Sequence, residues 1–90
     1  MDRDQLADKS RFLSDIAQEI WDDWGDKTAV DAKPYLLAMF SVRHITDKYG
    51  ADDAETIVLY FLSNASTWRG DTAKRVKNEL KSMLKTLKKR

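Results

Sequence analysis

The chain has 90 residues, which is the size of one small domain and leaves no room for a second hydrophobic core. It contains no cysteine, and this excludes disulfides, thiolate metal sites and cysteine nucleophiles. Hydrophobic residues make up 42% and charged residues 34%, with a formal net charge of +1. This composition is typical of a globular protein and argues against a dedicated nucleic-acid binder.

The hydrophobic stretches of the sequence are short. The longest strictly apolar run covers residues 57–62, far below the roughly 20 residues that span a bilayer. The amino-terminal sequence MDRD lacks the basic start and apolar stretch of a signal peptide. We therefore expect one soluble, intracellular domain over residues 1–90 that makes no membrane contact, with frayed ends at 1–10 and 88–90.

Three glycines and one proline divide the chain into four segments. In each segment, apolar residues recur at steps of three and four, which is the spacing of an amphipathic helix. We predict four helices, over residues 4–24, 34–49, 52–68 and 71–88. The short connections between them favour an all-α, compact four-helix bundle.

Local signals indicate where these helices begin and end. Gly25 and Gly50 stand where a helix would terminate, and Pro34 suits the first turn of the second helix. The sequence DDAE that starts at Asp52 is an acidic variant of the capping box, and Asp71 is the expected N-cap of the last helix.

Hydrophobicity also predicts an order of burial. Residues 35–40 and 57–62 are apolar on nearly every side of a helical wheel. We therefore expect the second and third helices to be the inner pair of the bundle. The first and fourth helices are amphipathic and are expected to lie outside them.

Charge is sorted along the chain. Residues 1–33 carry nine acidic and five basic side chains, whereas residues 71–90 carry two acidic and eight basic ones. Five acidic residues of the first predicted helix share a face expected to point away from the core: Asp4, Asp8, Asp15, Glu19 and Asp22. Five lysines share one flank of the fourth: Lys74, Lys77, Lys81, Lys85 and Lys88.

Two interpretations of the lysine flank stay open. It is either solvated surface that keeps a small helical protein soluble, or a phosphate-binding stripe for auxiliary, largely non-specific nucleic-acid binding. Lysine carries a point charge and lacks the paired N–H donors of the arginine guanidinium, so it would distinguish one base from another poorly.

The sequence offers little for catalysis. His44 is the single histidine, and it stands in no recognised nucleophile motif. Its neighbours Asp47 and Lys48 do not complete a metal site, which usually needs about four ligands. We predict that the protein is not an enzyme and requires no metal or cofactor.

Four residues are the candidate protein-binding positions. Asn64 falls on the wheel between core positions, and Trp68 and Arg69 belong to residue types enriched at interface hot spots. Trp21 lies at the edge of the first helix's apolar stripe. The alternative interpretation is structural: Asn64 bonds the backbone, Trp68 fills the end of the bundle, Arg69 begins a tight turn, and Trp21 packs at the bundle edge.

Several short stretches resemble a known family. They comprise Trp21 and Trp24, AKPYL at 32–36, Ala38-Met39, Tyr49-Gly50, Ile57-Val58, YFLSNA at 60–65 and WRGDTA at 68–73. Together, over about residues 13 to 84, they resemble a family of small uncharacterised proteins encoded by tailed bacteriophages and prophages. The resemblance implies a location in the cytoplasm of a bacterial host, and by analogy with other small phage proteins it implies work done by binding.

The sequence therefore predicts a small intracellular module that acts through protein–protein contacts. Its expected partner is a host or phage protein, or a second copy of the chain, since the last helix has a heptad seam and the charged sides are complementary.

Overall fold

The computed structural model describes residues 11–50 and 52–88, and it contains four helices. They are α1 (Leu13–Trp24), α2 (Lys33–Met39), α3 (Ala54–Ser63) and α4 (Asp71–Lys88). The Cα radius of gyration is 12.8 Å, close to the roughly 12 Å expected for a folded chain of this length. The predicted mostly helical, compact architecture is confirmed, while three of the four helices are shorter than predicted.

Helix α1 begins at Leu13 because Phe12 is extended, with φ −67° and ψ 143°. The amide of Leu13 donates to the carbonyl of Arg43 at 2.7 Å, so a distant loop satisfies one free N–H of the first turn. The predicted start at residue 4 is not confirmed, because residues 11 and 12 are not helical and residues 4–10 lie outside the described part. Gly25 ends the helix as predicted, with a positive φ of 47°.

Helix α2 carries Pro34 in its first turn, as predicted, but ends at Met39 rather than at residue 49. The carboxylate of Asp47 accepts the amides of Arg43 at 2.9 Å and His44 at 3.0 Å. In a continued helix these two amides would donate to backbone carbonyls, so the turn at Asp47 competes with the helix for them. The chain then forms a small antiparallel hairpin of β1 (Lys48–Tyr49) and β2 (Asp52–Asp53), with Lys48 opposite Asp53.

Helix α3 is shorter than predicted at both ends, Ala54–Ser63 instead of 52–68. Asp53 is its N-cap and accepts the amide of Thr56 at 2.9 Å, as the acidic capping signal indicates. At the other end Asn64 is the C-cap. In α4, the amide of Lys74 donates to the carbonyl of Gly70, so Gly70 and not Asp71 occupies the N-cap position.

All four helices contribute to one hydrophobic core. At the end of the bundle Trp24, Phe61 and Trp68 form an aromatic group, with Trp24 and Trp68 stacked at 5.7 Å between ring centroids. The predicted inner pair is not confirmed, because α2 and α3 both present large apolar side chains to solvent. These are Leu37, Leu59 and Tyr60, with exposed fractions of 51%, 40% and 51%.

An ionic cluster joins α1 to α4. Arg11 lies 2.9 Å from Glu19 and 2.6 Å from Glu79, and Arg75 donates a hydrogen bond to Glu19. The predicted outward acidic face is therefore wrong at Glu19, whose side chain lies between the helices and neutralises a cation of α4. Asp15 and Asp22 are exposed as predicted, and the face's other two members lie outside the described residues.

This cluster predicts a loss of stability in acid. The hydrogen bond from Arg75 lowers the pKa of Glu19 below its ordinary value, although burial opposes the shift. Because the pKa of Glu19 is lower in the folded chain than in the unfolded chain, the unfolded chain binds more protons in this pH range. The stabilisation is therefore present above the unfolded pKa near 4.5 and is lost as the pH falls through the folded pKa. We expect Glu19→Gln to remove this part of the pH dependence in urea titrations carried out at decreasing pH below about 5. A Glu19→Gln variant with the parent's pH profile would contradict the cluster.

Candidate protein-binding surface

The four predicted binding residues occupy different environments. Arg69 is exposed, Trp21 is half-buried against the core, Asn64 is half-buried, and Trp68 is buried with 2% of its surface exposed. The structure therefore does not assemble them into one exposed patch.

Trp68 is part of the core, not an exposed anchor. Its ring stacks on Trp24 with an interplanar angle of 15°, and its edge packs against Phe61. Its indole Nε1 donates to Oδ2 of Asp23 at 2.8 Å, so the one polar group of the buried ring has a partner. The structural interpretation of Trp68, as the residue that fills the end of the bundle, agrees with this geometry.

Asn64 does not project between core positions. Its Nδ2 donates to the carbonyl of Tyr60 at 2.9 Å, and its backbone amide reaches the carbonyls of Tyr60 and Phe61. The predicted core-facing orientation is wrong because the helix ends at Ser63, so the helical wheel does not extend to residue 64. Asn64 instead satisfies the free carbonyls at the end of α3.

A shallow, open concavity of about 520 Å³ lies over this end of the bundle. Its lining residues are Asp23, Trp24, Lys27, Thr67, Trp68 and Arg69. The Asp23 carboxylate already accepts the indole of Trp68, and Lys27 and Arg69 supply positive charge at the rim. The concavity therefore offers contacts for charged groups.

The surface of α2 and α3 was missed by the sequence analysis. Tyr60 is half exposed, and its ring meets that of Tyr35 edge to face at 5.4 Å between centroids. Leu59 is exposed next to it, and Leu37 is exposed on the neighbouring helix. We name Tyr35, Leu59 and Tyr60 the α2–α3 apolar face; Leu37 is two residues from Tyr35 on α2 and therefore lies about 160° away from it around the helix. Both segments are apolar on nearly every side of a helical wheel, and this pattern predicts burial on every side instead of an exposed apolar face.

His44 and Asp47 are joined by a hydrogen bond from the His44 backbone amide to the Asp47 carboxylate. The bonds from the His44 and Arg43 amides lower the pKa of the Asp47 carboxyl. The His44 ring packs edge-on against Phe12 at 5.3 Å. Within residues 11–50 and 52–88, no group of three or more histidine or acidic side chains is placed to hold a metal ion.

The lysines of α4 are not equivalent. Lys77 donates to the carbonyls of Ala65 at 2.6 Å and Trp68 at 2.7 Å, and its Nζ lies 5.9 Å from the centre of the Trp68 ring. Lys74, Lys81 and Lys85 are exposed. The side chain of Lys88, the fifth lysine of the predicted stripe, lies outside the described part.

Comparison with protein families, curated proteins and solved structures gives no significant match. In the portion of the chain that the structure describes, no helix has both the length and the apolar character to cross a membrane.

Proposed function

We propose that the protein is a small phage-type binding module that works in the bacterial cytoplasm through a protein–protein contact, without catalysis, and that the α2–α3 apolar face makes this contact. The observation that carries the proposal is the exposure of Leu59 and Tyr60 beside the Tyr35–Tyr60 ring pair. Clustered apolar side chains on a small soluble domain are typical of interaction sites.

The chemistry of this face suits a protein partner. Tyrosine is enriched at interface hot spots because it buries a large ring while its hydroxyl keeps a polar contact. The edge-to-face contact with Tyr35 restricts the Tyr60 ring before binding, so less side-chain entropy is lost on association. Asn64 lies one helical turn after Tyr60, where its amide oxygen can accept a hydrogen bond from a partner.

The occupant is a host or phage protein in this proposal, with a second copy of the chain as the alternative. A stable interface buries about 800 Å² on each partner, so a partner would also cover polar residues around the three residues of this face. Trp21 on α1 and Arg69 in the α3–α4 connection also keep exposed surface and are the alternative contact surface in this proposal.

A pull-down from bacterial lysate distinguishes the two surfaces. We expect a captured protein to be lost with the Leu59→Ser/Tyr60→Ser variant and retained with Trp21→Ala and Arg69→Ala. Both serine substitutions remove partly exposed apolar surface, so the circular-dichroism melt should show a folded chain whose midpoint is lowered by several degrees. A partner retained by the serine variant and lost with Arg69→Ala would place the contact on the other surface. Retention by every variant would contradict both.

A further inference from the structure

The two flanks of helix α4 differ in charge. On the flank that faces α1, Arg75 bonds Glu19 and Glu79 bonds Arg11, so cations and carboxylates neutralise one another. On the opposite flank the charged side chains are lysines at steps of three and four: Lys74, Lys77, Lys81 and Lys85. Among the described residues, no carboxylate lies within 4.0 Å of the ammonium group of any of these four.

Lys77 holds the preceding loop against this flank. Its ammonium group bonds the carbonyls of Ala65 and Trp68, the latter immediately before Arg69. The anchor holds the backbone at Arg69, one residue after Trp68, beside this flank. Burial, together with the positive charges of Lys81 and Arg69, lowers the pKa of Lys77.

We propose that this basic flank, formed by Arg69, Lys74, Lys81 and Lys85, binds the phosphate backbone of nucleic acid. Lys74 and Lys81 are separated by about 10 Å along the helix and Lys81 and Lys85 by about 6 Å, so the flank presents a row of positive charges to a row of phosphates. Lys77 contributes mainly its charge, because two of its three N–H donors are directed to the carbonyls of Ala65 and Trp68.

Other polyanions fit the flank less well. A helix that lies on a membrane needs large apolar side chains beside its basic ones, and the exposed large apolar side chains in the described part all lie outside α4. The buried ring of Trp68 is not available for base stacking. Contacts made by lysine charges to phosphates would be independent of base sequence.

Fluorescence anisotropy with a labelled DNA duplex tests the proposal. With four phosphate contacts, log affinity should fall with log salt at a slope of about −3.6, which is about a 150-fold loss between about 50 mM and about 200 mM salt. The Lys74→Gln/Lys81→Gln variant should bind more weakly and with a slope of about −1.8. The control Lys33→Gln/Lys48→Gln removes the same charge from exposed positions on α2 and β1 and should keep the parent's slope.

Three outcomes would overturn the proposal. They are absence of duplex binding at low salt, equal weakening by the two double variants, and flank-dependent binding to phosphatidylserine vesicles without flank-dependent duplex binding. A thermal melt of each variant confirms that it is folded. Because the basic flank and the α2–α3 apolar face lie on different helices, either proposal can fail while the other stands.

Discussion

Replacement of Phe61 by alanine is expected to lower the free energy of unfolding by about 3 to 5 kcal/mol, the range for truncating a buried aromatic residue. Phe61 has no exposed surface. Its ring packs edge to face on Trp24 at 6.1 Å and on Trp68 at 6.3 Å. The substitution removes the shared member of this aromatic group and leaves a cavity that the two tryptophans cannot fill without separating.

Urea unfolding, followed by tryptophan fluorescence and by circular dichroism, measures this loss. Tyr60→Ala is the matched control, because it truncates the adjacent aromatic residue, which is half exposed. It should cost about 1 kcal/mol or less, since the loss is mainly one edge-to-face pair. A Phe61→Ala variant that unfolds at the parent's urea concentration would mean that the core is assigned to the wrong residues.

Replacement of Lys77 by methionine is expected to lower the free energy of unfolding by about 1 to 3 kcal/mol. Methionine keeps most of the aliphatic stem and removes the ammonium group that bonds Ala65 and Trp68. Those carbonyls belong to the connection between α3 and α4, where they would lose a charged donor. The loss should appear together with a change in the fluorescence of Trp68, which lies beneath the ammonium group.

Lys74→Met is the control for this substitution. Lys74 lies one turn earlier on the same flank and is exposed, so its replacement should change the unfolding free energy by about 0.5 kcal/mol or less. Equal stability of the Lys77 and Lys74 variants would show that Lys77 is an ordinary surface lysine and that the loop is held by other contacts.

The helices could be predicted to the extent that their signals are local. The apolar stripe of α1, the positive φ at Gly25, Pro34 in the first turn of α2 and the cap at Asp53 all depend on neighbouring residues. The end of α2 could not be predicted in this way. The apolar spacing continues to Tyr49, and the turn that replaces the helix depends on the Asp47 side chain competing for backbone amides.

The exposed apolar face was harder to predict than the helices, because the burial of a side chain depends on which elements pack against it and not on composition alone. A helical wheel extended to residue 68 placed Asn64 near the core, whereas the helix ends five residues earlier. The apolar run at residues 57–62 predicts that Leu59 and Tyr60 are buried, although no element of the described structure covers them fully. Likewise, the hydrogen bonds from Lys77 to the Ala65 and Trp68 carbonyls connect two elements, so no short stretch of the sequence predicts them.

Photo-crosslinking in bacterial cells measures whether the α2–α3 apolar face contacts another protein. A photoreactive amino acid is placed at position 60, in the α2–α3 apolar face, and at Ser82, an exposed position on α4. If the α2–α3 apolar face makes the contact, a discrete crosslinked protein appears at position 60 and is absent at position 82. Excess unlabelled parent chain competes it away, whereas the Leu59→Ser/Tyr60→Ser variant does not. A product of twice the chain's mass would identify a second copy as the partner. Identical patterns at the two positions, or no crosslink at position 60, would contradict the claim that this face makes the protein's functional contact.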